Sequence, residues 1–194
     1  MSILNYYQEL TIINQHDEPY FKMLSQTFLQ LHLAFVEQKN IQNKIPFGIS
    51  FPEFIDGDNA NFGKKIRVFS ESIHQLQMLN LDRWLIFLKN GLHWTDIKPV
   101  PEHLIKQYLI FKRLHFKTKD ERIAHQAKRR GISTEEASTY FSDYKDIPAP
   151  YIHMKSLTNN MNFKLFVKRL ISGNESFDGF SVYGLSNTST VPDF

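Results

Sequence analysis

The spacing of hydrophobic and polar residues changes several times along the first hundred residues of the chain. The residues in 6–13 and 64–70 have the character of strands, and in 64–70 apolar and polar residues alternate. Between them, the spacing in 20–38 predicts a helix, because apolar residues recur there every three or four positions. The apolar stripe of this helix consists of Phe21, Leu24, Phe28, Leu31 and Phe35. His32 follows directly after Leu31, so we expect it at the margin of the buried face.

Four further elements complete the first half of the chain. They are a strand over 44–52, a helix that Ser70 or Ser72 caps and that ends near Leu79, helical turns over 82–88, and a strand over 92–100. A polar loop over 56–63 joins two of the strands as a hairpin. The resulting order βαββαβ is that of a ferredoxin-like domain, and it predicts an α+β protein.

Pro99 and Pro101 indicate a boundary, which divides the chain into a first domain over 1–101 and a second over 102–194. In the second domain, alternation over 112–117 predicts a strand with Arg113, His115 and Lys117 on one face.

A basic helix should follow over 119–130 and end at Gly131, and Ser133 opens a capping box for a second helix. Along one side of that second helix lie Ala137, Tyr140, Phe141 and Tyr144. Short strands are predicted over 151–155, 162–170 and 180–183, and the tail after 183 is expected to be irregular.

Charge is concentrated in one segment of this second half. Residues 112–130 contain eight Lys or Arg and two acidic residues, a net charge of +6, whereas the whole chain carries +3. Such a concentration is typical of a surface that contacts a polyanion, and it favours a nucleic acid as partner. The alternative is a solvated helix face with no ligand.

Several kinds of chemistry are excluded or left without a motif. The absence of cysteine excludes disulfides, Cys-based zinc sites and a thiol nucleophile, and the sequence contains no HExxH, EF-hand or phosphate-loop pattern. No run of apolar residues is long enough for a membrane span, and the first residues do not resemble a signal peptide, so we expect a cytoplasmic protein. RNA cleavage needs little from a protein, because the 2′-hydroxyl is the nucleophile and a histidine suffices as base. Composition alone leaves open whether His32 meets Ser156 and Tyr183.

Four stretches resemble one protein family. The segment GFSVYGLSNTSTVPDF over 179–194 is similar to the closing segment of the type I-F CRISPR repeat-processing endoribonucleases. Residues 28–32 (FLQLH), 48–52 (GISFP) and 163–166 (FKLF) resemble further motifs of that family in the same order. The chain is therefore identified from its motifs as a member.

The resemblance implies a metal-independent endoribonuclease without cofactor. It would cut the 3′ base of a CRISPR repeat hairpin, leave a 2′,3′-cyclic phosphate, and stay on its product with other subunits of a prokaryotic effector complex. By resemblance His32 is the base, Ser156 holds the attacking ribose and Tyr183 orients the histidine. Arg113 falls on a guanine-reading arginine, and Phe163 on an aromatic that stacks beside the cleavage site.

The remaining RNA-binding residues implied by the resemblance are His115, Lys117, Arg122, His125, Lys128, Arg129, Arg130 and Thr158. Some of them depart from the family pattern. His115 stands where the family has a glutamine, and a histidine lacks the bidentate amide contact to adenine. Thr158 replaces a serine, and His125 lies where an arginine is expected. The alternatives are a hairpin-binding subunit with weak or no turnover, a DNA-binding accessory protein, and a structural subunit without nucleic acid.

Overall fold

A computed structural model of the protein describes residues 3–13, 19–115, 117, 119–144, 149–156 and 160–194. In the first half the elements are β1 (Tyr6–Ile12), α1 (Tyr20–Glu37), β2 (Lys44–Ile45), β3 (Gly48–Ser50), β4 (Lys65–Ser70), α2 (Ile73–Leu79), α3 (Leu81–Leu85), β5 (Leu92–Trp94) and β6 (Lys98–Pro99). A 3₁₀ turn over Ile86–Leu88 continues α3, and another occupies Glu102–Leu104.

The strands of this half form one antiparallel sheet in the order β3-β4-β1-β5, and β6 also pairs with β1. The central strand β1 alternates buried and partly exposed residues, as a strand does when helices cover one face of its sheet. Both α1 and α2 contact β1. The protein is a mixed α and β fold, as the order of elements predicts.

The second half contains β7 (Gln107–Leu114), α4 (Lys119–Arg130), α5 (Thr134–Thr139), β8 (Tyr151–Lys155), β9 (Asn162–Ser172), β10 (Phe180–Ser181) and β11 (Val191–Asp193). Four of these strands form an antiparallel sheet in the order β11-β7-β9-β8. The short β10 returns to the first half and pairs with β2.

One cluster of buried side chains extends through both halves, and Phe51 lies at its centre. The Phe51 ring has no exposed surface and lies 6.2 Å from Phe28 of α1, 4.6 Å from Phe62 and 5.4 Å from Phe111 of β7, measured between ring centroids. Because the hydrophobic effect is proportional to the apolar area removed from water, this contact of three segments stabilises their mutual arrangement.

Three helix ends that the sequence predicts have the expected capping geometry. The Ser72 side chain accepts a hydrogen bond from the amide of Gln75 and so caps α2. Ser133 caps α5 in the same way by accepting from Glu136. Gly131 has φ +66°, and the next amide, that of Ile132, donates to the Ala127 carbonyl at 3.2 Å, which ends α4.

Four predicted elements differ in the structure. The strand predicted over 44–52 is divided at Pro46, which has no amide hydrogen for a strand ladder, and 92–100 forms two short strands instead of one. The strand predicted over 112–117 begins earlier and ends at Leu114, and the strand over 180–183 ends at Ser181. In α1 the prediction for Phe21 is wrong, since its side chain is 60% exposed and Met23 is buried in the first turn.

The tail is not irregular, as we expected, but ends in a strand and an aromatic anchor. The Phe194 ring packs against Tyr7 and Phe69, and the Arg67 guanidinium lies 4.1 Å from its centroid and donates to the Phe194 carbonyl oxygen at 2.7 Å. Arg67 also pairs with Glu9 at 2.8 Å. The pairing partners of this tail lie far away in sequence, so its local composition does not reveal the strand.

Substituting Phe51 with alanine tests the shared core. We expect Phe51→Ala to lower the free energy of unfolding by about 3–5 kcal/mol, because it leaves a cavity between three packed segments. Chemical denaturation followed by circular dichroism measures this change. Phe87→Ala is the matched control, since the Phe87 side chain is 93% exposed, and its effect should stay within about 0.5 kcal/mol. Equal losses in both variants would contradict a central role of Phe51.

Candidate active site and nucleic-acid interface

His32 is held by two groups that lie 150 and 151 positions further along the chain. It is half-buried on α1, where the adjacent Leu31 and Ala34 face the core. Its Nδ1 lies 2.8 Å from the carbonyl oxygen of Val182. Its ring stacks on the Tyr183 ring with centroids 4.4 Å apart and planes 9° from parallel. The imidazole orientation is therefore fixed by one hydrogen bond and one ring contact.

The hydrogen bond also determines which nitrogen carries the proton. A backbone carbonyl only accepts, so Nδ1–H of His32 must donate to Val182, and in the neutral ring Nε2 is left with a free lone pair. Burial lowers the pKa of His32, and the bond to Val182 opposes this shift only in part. The imidazole is therefore neutral at pH 7 and has a proton acceptor at Nε2, as a general base requires.

Arg113 connects this ring stack to the C-terminal sheet. It lies near the end of β7, and its guanidinium carbon is 5.4 Å from the centroid of the Tyr183 ring and 5.3 Å from that of Phe163 on β9. Cations near aromatic faces are attracted by the ring quadrupole, which restricts the arginine without neutralising it. The structure thus brings together His32, Tyr183, Arg113 and Phe163 as one continuous chain of contacts.

Two open cavities adjoin these residues. One, of about 630 Å³, is lined by Arg113, Tyr183 and His115, together with Lys112 and the segment over 185–187. The other, of about 320 Å³, lies between α1 and β8 and is lined by Leu29, one turn before His32, and by Lys155. His32 itself lines neither cavity, and the site is defined by its contacts with Val182 and Tyr183.

Ser156 directly follows β8, and β8 packs against α1. Its backbone amide donates to the Met161 carbonyl at 2.8 Å. In the part of the chain that the structure describes, Ser156 forms no hydrogen bond with His32 or Tyr183. Among these described residues the structure therefore shows a ring contact between His32 and Tyr183, and no hydrogen bond from Ser156 to either of them. Thr158 lies outside the described residues.

The basic helix α4 is mostly exposed and packs against α5. Arg122 lies over the Tyr144 ring at 4.9 Å, and its Nε donates to the Lys117 carbonyl at 3.1 Å. Arg130 lies over the Tyr140 ring at the same distance of 4.9 Å. The aromatic residues after Ser133 thus support two of the arginines that the sequence assigns to RNA binding. Among the predicted RNA-binding residues of α4, those that are exposed are His125, Lys128, Arg129 and Arg130.

The common strand face predicted for Arg113, His115 and Lys117 is wrong. Because β7 ends at Leu114, the two-residue alternation stops there, and His115 and Lys117 lie in the exposed connection to α4. His115 still lines the larger cavity beside Arg113. Arg113 and His115 therefore lie at the same cavity, although they do not share a strand face.

Sequence reasoning missed the carbonyl of Val182, which fixes the tautomer of His32. A backbone carbonyl cannot be recognised from the type of its residue. The one available signal was that Val182 directly precedes Tyr183. It also missed Lys112 as a cavity residue. Within the described ranges, no three His, Asp or Glu side chains are grouped to hold a metal ion, and no helix is both long and apolar enough to span a membrane.

The chain matches known proteins along nearly its whole length. The family described as CRISPR-associated protein (Cas_Csy4) matches residues 7–194. The chain is also 27% identical over 197 residues to the CRISPR-associated endonuclease Cas6/Csy4 of Escherichia coli (strain UTI89 / UPEC). That alignment covers 98% of this chain and 100% of the relative.

The environment of His32 predicts its titration. We expect an NMR midpoint below the ordinary histidine value of about 6.5, because burial disfavours the imidazolium. The contribution of neutral His32 to the stability of the folded protein is then fully present above about pH 6.5, the pKa of the unfolded state. It is lost as the pH falls through the lower pKa of the folded state. Tyr183→Leu should move the midpoint back toward the ordinary value, and Tyr183→Phe, which keeps the ring, should not. A midpoint above 6.5 in the unmodified protein would contradict the assigned environment.

Proposed function

The chain belongs to the CRISPR-associated Cas_Csy4 family, and from this premise we propose that it is an endoribonuclease that processes CRISPR repeat RNA. The observation that supports this most is the held imidazole of His32, whose Nδ1 binds Val182 and whose ring stacks on Tyr183. An oriented, neutral histidine with Nε2 unprotonated is suited to act as a general base.

The proposed reaction uses the nucleophile that RNA carries. Nε2 of His32 accepts the proton of a ribose 2′-hydroxyl while the 2′-oxygen attacks the adjacent phosphorus. The bond from phosphorus to the 5′-oxygen breaks, and that oxygen leaves with a proton from solvent. The products are a 2′,3′-cyclic phosphate and a 5′-hydroxyl, so the balance requires no metal or cofactor.

We assign the neighbouring residues the roles that the family resemblance implies, and their positions support several of these roles. Tyr183 keeps the His32 ring in place through the stack. Ser156 follows the strand beside α1 and holds the attacking ribose. Phe163 offers a ring for a base beside the cleaved phosphate, since base–aromatic stacking is a common means of RNA recognition. Arg113, fixed between two rings, reads a guanine near the base of the stem.

We further propose that α4 follows the phosphates of a repeat hairpin, with Thr158, Lys117 and His115 contributing at the stem base. Cleavage then occurs at the 3′ base of the stem, and the product stays bound in the effector complex. The antiparallel strand order β3-β4-β1-β5 with helices α1 and α2 supports a ferredoxin-like first domain over 1–101. Residues 102–194 supply the hairpin grip.

The alternative within the same family is a hairpin-binding subunit without turnover. It keeps the exposed basic residues of α4, and Thr158, which stands where the family has a serine, favours it. The following experiment separates the two.

Replacing the base tests the enzyme directly. We expect His32→Ala to lower the single-turnover cleavage rate of a repeat hairpin by about 10²–10⁴-fold, the usual contribution of a general base. Hairpin affinity should stay nearly constant, because His32 lies outside the basic segment. The matched control is His93→Ala, an exposed histidine of β5, which should cleave at the normal rate. An unmodified protein that binds the hairpin without cutting it would support the alternative, and an unchanged rate in His32→Ala would refute the assigned base.

Salt dependence tests the proposed contact of α4. Each phosphate that the protein neutralises contributes about 0.7–0.9 to the slope of log affinity against log salt. Arg129→Gln combined with Arg130→Gln should therefore flatten this slope by about 1.4–1.8. Lys64→Gln combined with Lys89→Gln removes the same charge from exposed positions of the first half and should leave the slope unchanged. A slope that falls equally in both double variants would show general charge attraction instead of a contact by α4.

A further inference from the structure

The outer side of the C-terminal sheet is basic to an unusual degree. Strands β7, β8 and β9 contain six Lys or Arg and no Asp or Glu. Arg113 and Arg169 lie on the inner side, where Arg113 contacts aromatic rings and Arg169 pairs with Asp56 at 2.6 Å. The four lysines on the opposite side are Lys112, Lys155, Lys164 and Lys168, and we call this surface the outer lysine face.

The outer lysine face carries a repulsion that the fold does not relieve. Lys112 of β7 lies directly opposite Lys168 of β9 in the register, and like charges at such positions destabilise a sheet. Lys155, Lys164 and Lys168 are exposed. Among the residues that the structure describes, none of the four lysines forms an ion pair. A surface of this kind is complementary to a ligand with several negative charges.

Aromatic rings are interspersed with these charges. Tyr151 is 39% exposed on the edge strand, with the Lys164 ammonium 4.5 Å from its ring centroid. His153 meets the Tyr151 ring edge-on at 5.0 Å, and Phe166, directly opposite on β9, lies 5.2 Å away. Lysines beside exposed rings are the combination that binds a single nucleic-acid strand, because bases stack on the rings while phosphates contact the charges. The bases of a duplex stem are already stacked on one another and offer no such faces.

The position of the face relates it to the candidate site. Lys155 precedes Ser156, and Lys112 precedes Arg113 and lines the larger cavity. Because β8 is the edge strand of the sheet, an RNA strand that leaves the site beside Ser156 reaches the face around that edge. Since the downstream fragment must depart after cleavage, the strand that gains from a permanent contact is the upstream one, which stays attached to the hairpin.

We propose that the outer lysine face binds the single-stranded RNA immediately upstream of the repeat hairpin. This inference rests on the proposed function, and it adds a second RNA-binding surface on the side of the sheet opposite Arg113. The face contributes affinity for the retained strand and takes no part in the cleavage step.

The test compares three RNAs, each with a 2′-deoxy nucleotide at the cleavage position: the hairpin alone, the hairpin with an upstream single strand of about ten nucleotides, and the hairpin with an equal downstream strand. Site sizes of about this length are common for single-strand surfaces. The upstream strand should raise affinity at least about fivefold, the gain from one stacked base. Lys164→Gln combined with Lys168→Gln should remove most of this gain and lower its salt slope by about 1.4. Hairpin-alone affinity should not change in this variant.

Two matched controls complete the design. Lys89→Gln combined with Lys98→Gln removes the same charge from exposed positions of the first half and should preserve the gain. Tyr151→Phe should preserve it as well, since the ring remains, whereas Tyr151→Ala should reduce it. Equal melting temperatures of all variants show that the fold is intact.

The proposal is overturned if the upstream strand adds no affinity, if only the downstream strand adds it, or if the outer-face variant keeps the full gain. It is also overturned if that variant weakens the hairpin alone to the same extent, because the face then belongs to the hairpin grip. A failure of the proposed function gives a different result: the protein would not bind the hairpin alone and would not cleave the all-ribose hairpin.

Discussion

The contact between the His32 imidazole and the segment over 182–184 is the constraint on which the site depends. It joins α1 to a turn near the end of the chain, so the base exists only when both halves are folded together. Gly184 permits this approach. It has φ +70°, its carbonyl accepts from the Ile49 amide at 2.9 Å, and a Cβ there would lie 2.6 Å from Ile49 Cγ1. A side chain at this position would therefore displace the turn that carries Tyr183.

A second anchor keeps the tail against the first sheet. Glu9 is flanked by Lys65 and Arg67, and although burial raises the pKa of Glu9, hydrogen bonds from these two cations shift it below its usual value overall. Arg67 extends the anchor to the carbonyl and ring of Phe194. The side chain of Asp193 in the tail accepts a hydrogen bond from Gln107 Nε2 at 2.9 Å, which gives this acidic residue a structural role. These contacts hold the end of the tail against both sheets.

The sequence predicts those features that depend on local periodicity and capping. The helix α1, the basic helix α4 with its end at Gly131, and His32 at the margin of the buried stripe are of this kind. The motif resemblance pointed to Tyr183 as a partner of His32, and the structure brings the two rings into contact. Features that depend on distant pairing were not predictable, such as the strand β11 and the end of β7 at Leu114.

The most direct test of the account uses the chemistry of the RNA itself. The unmodified protein is incubated in EDTA with a labelled repeat hairpin and with the same hairpin carrying a 2′-deoxy ribose at the cleavage position, and the ends of the products are analysed. The account predicts cleavage of the ribose substrate with a 2′,3′-cyclic phosphate end, and binding without cleavage of the deoxy substrate, because its nucleophile is missing. Cleavage of the deoxy hairpin, or cleavage of the ribose hairpin only when Mg²⁺ is added, would contradict it.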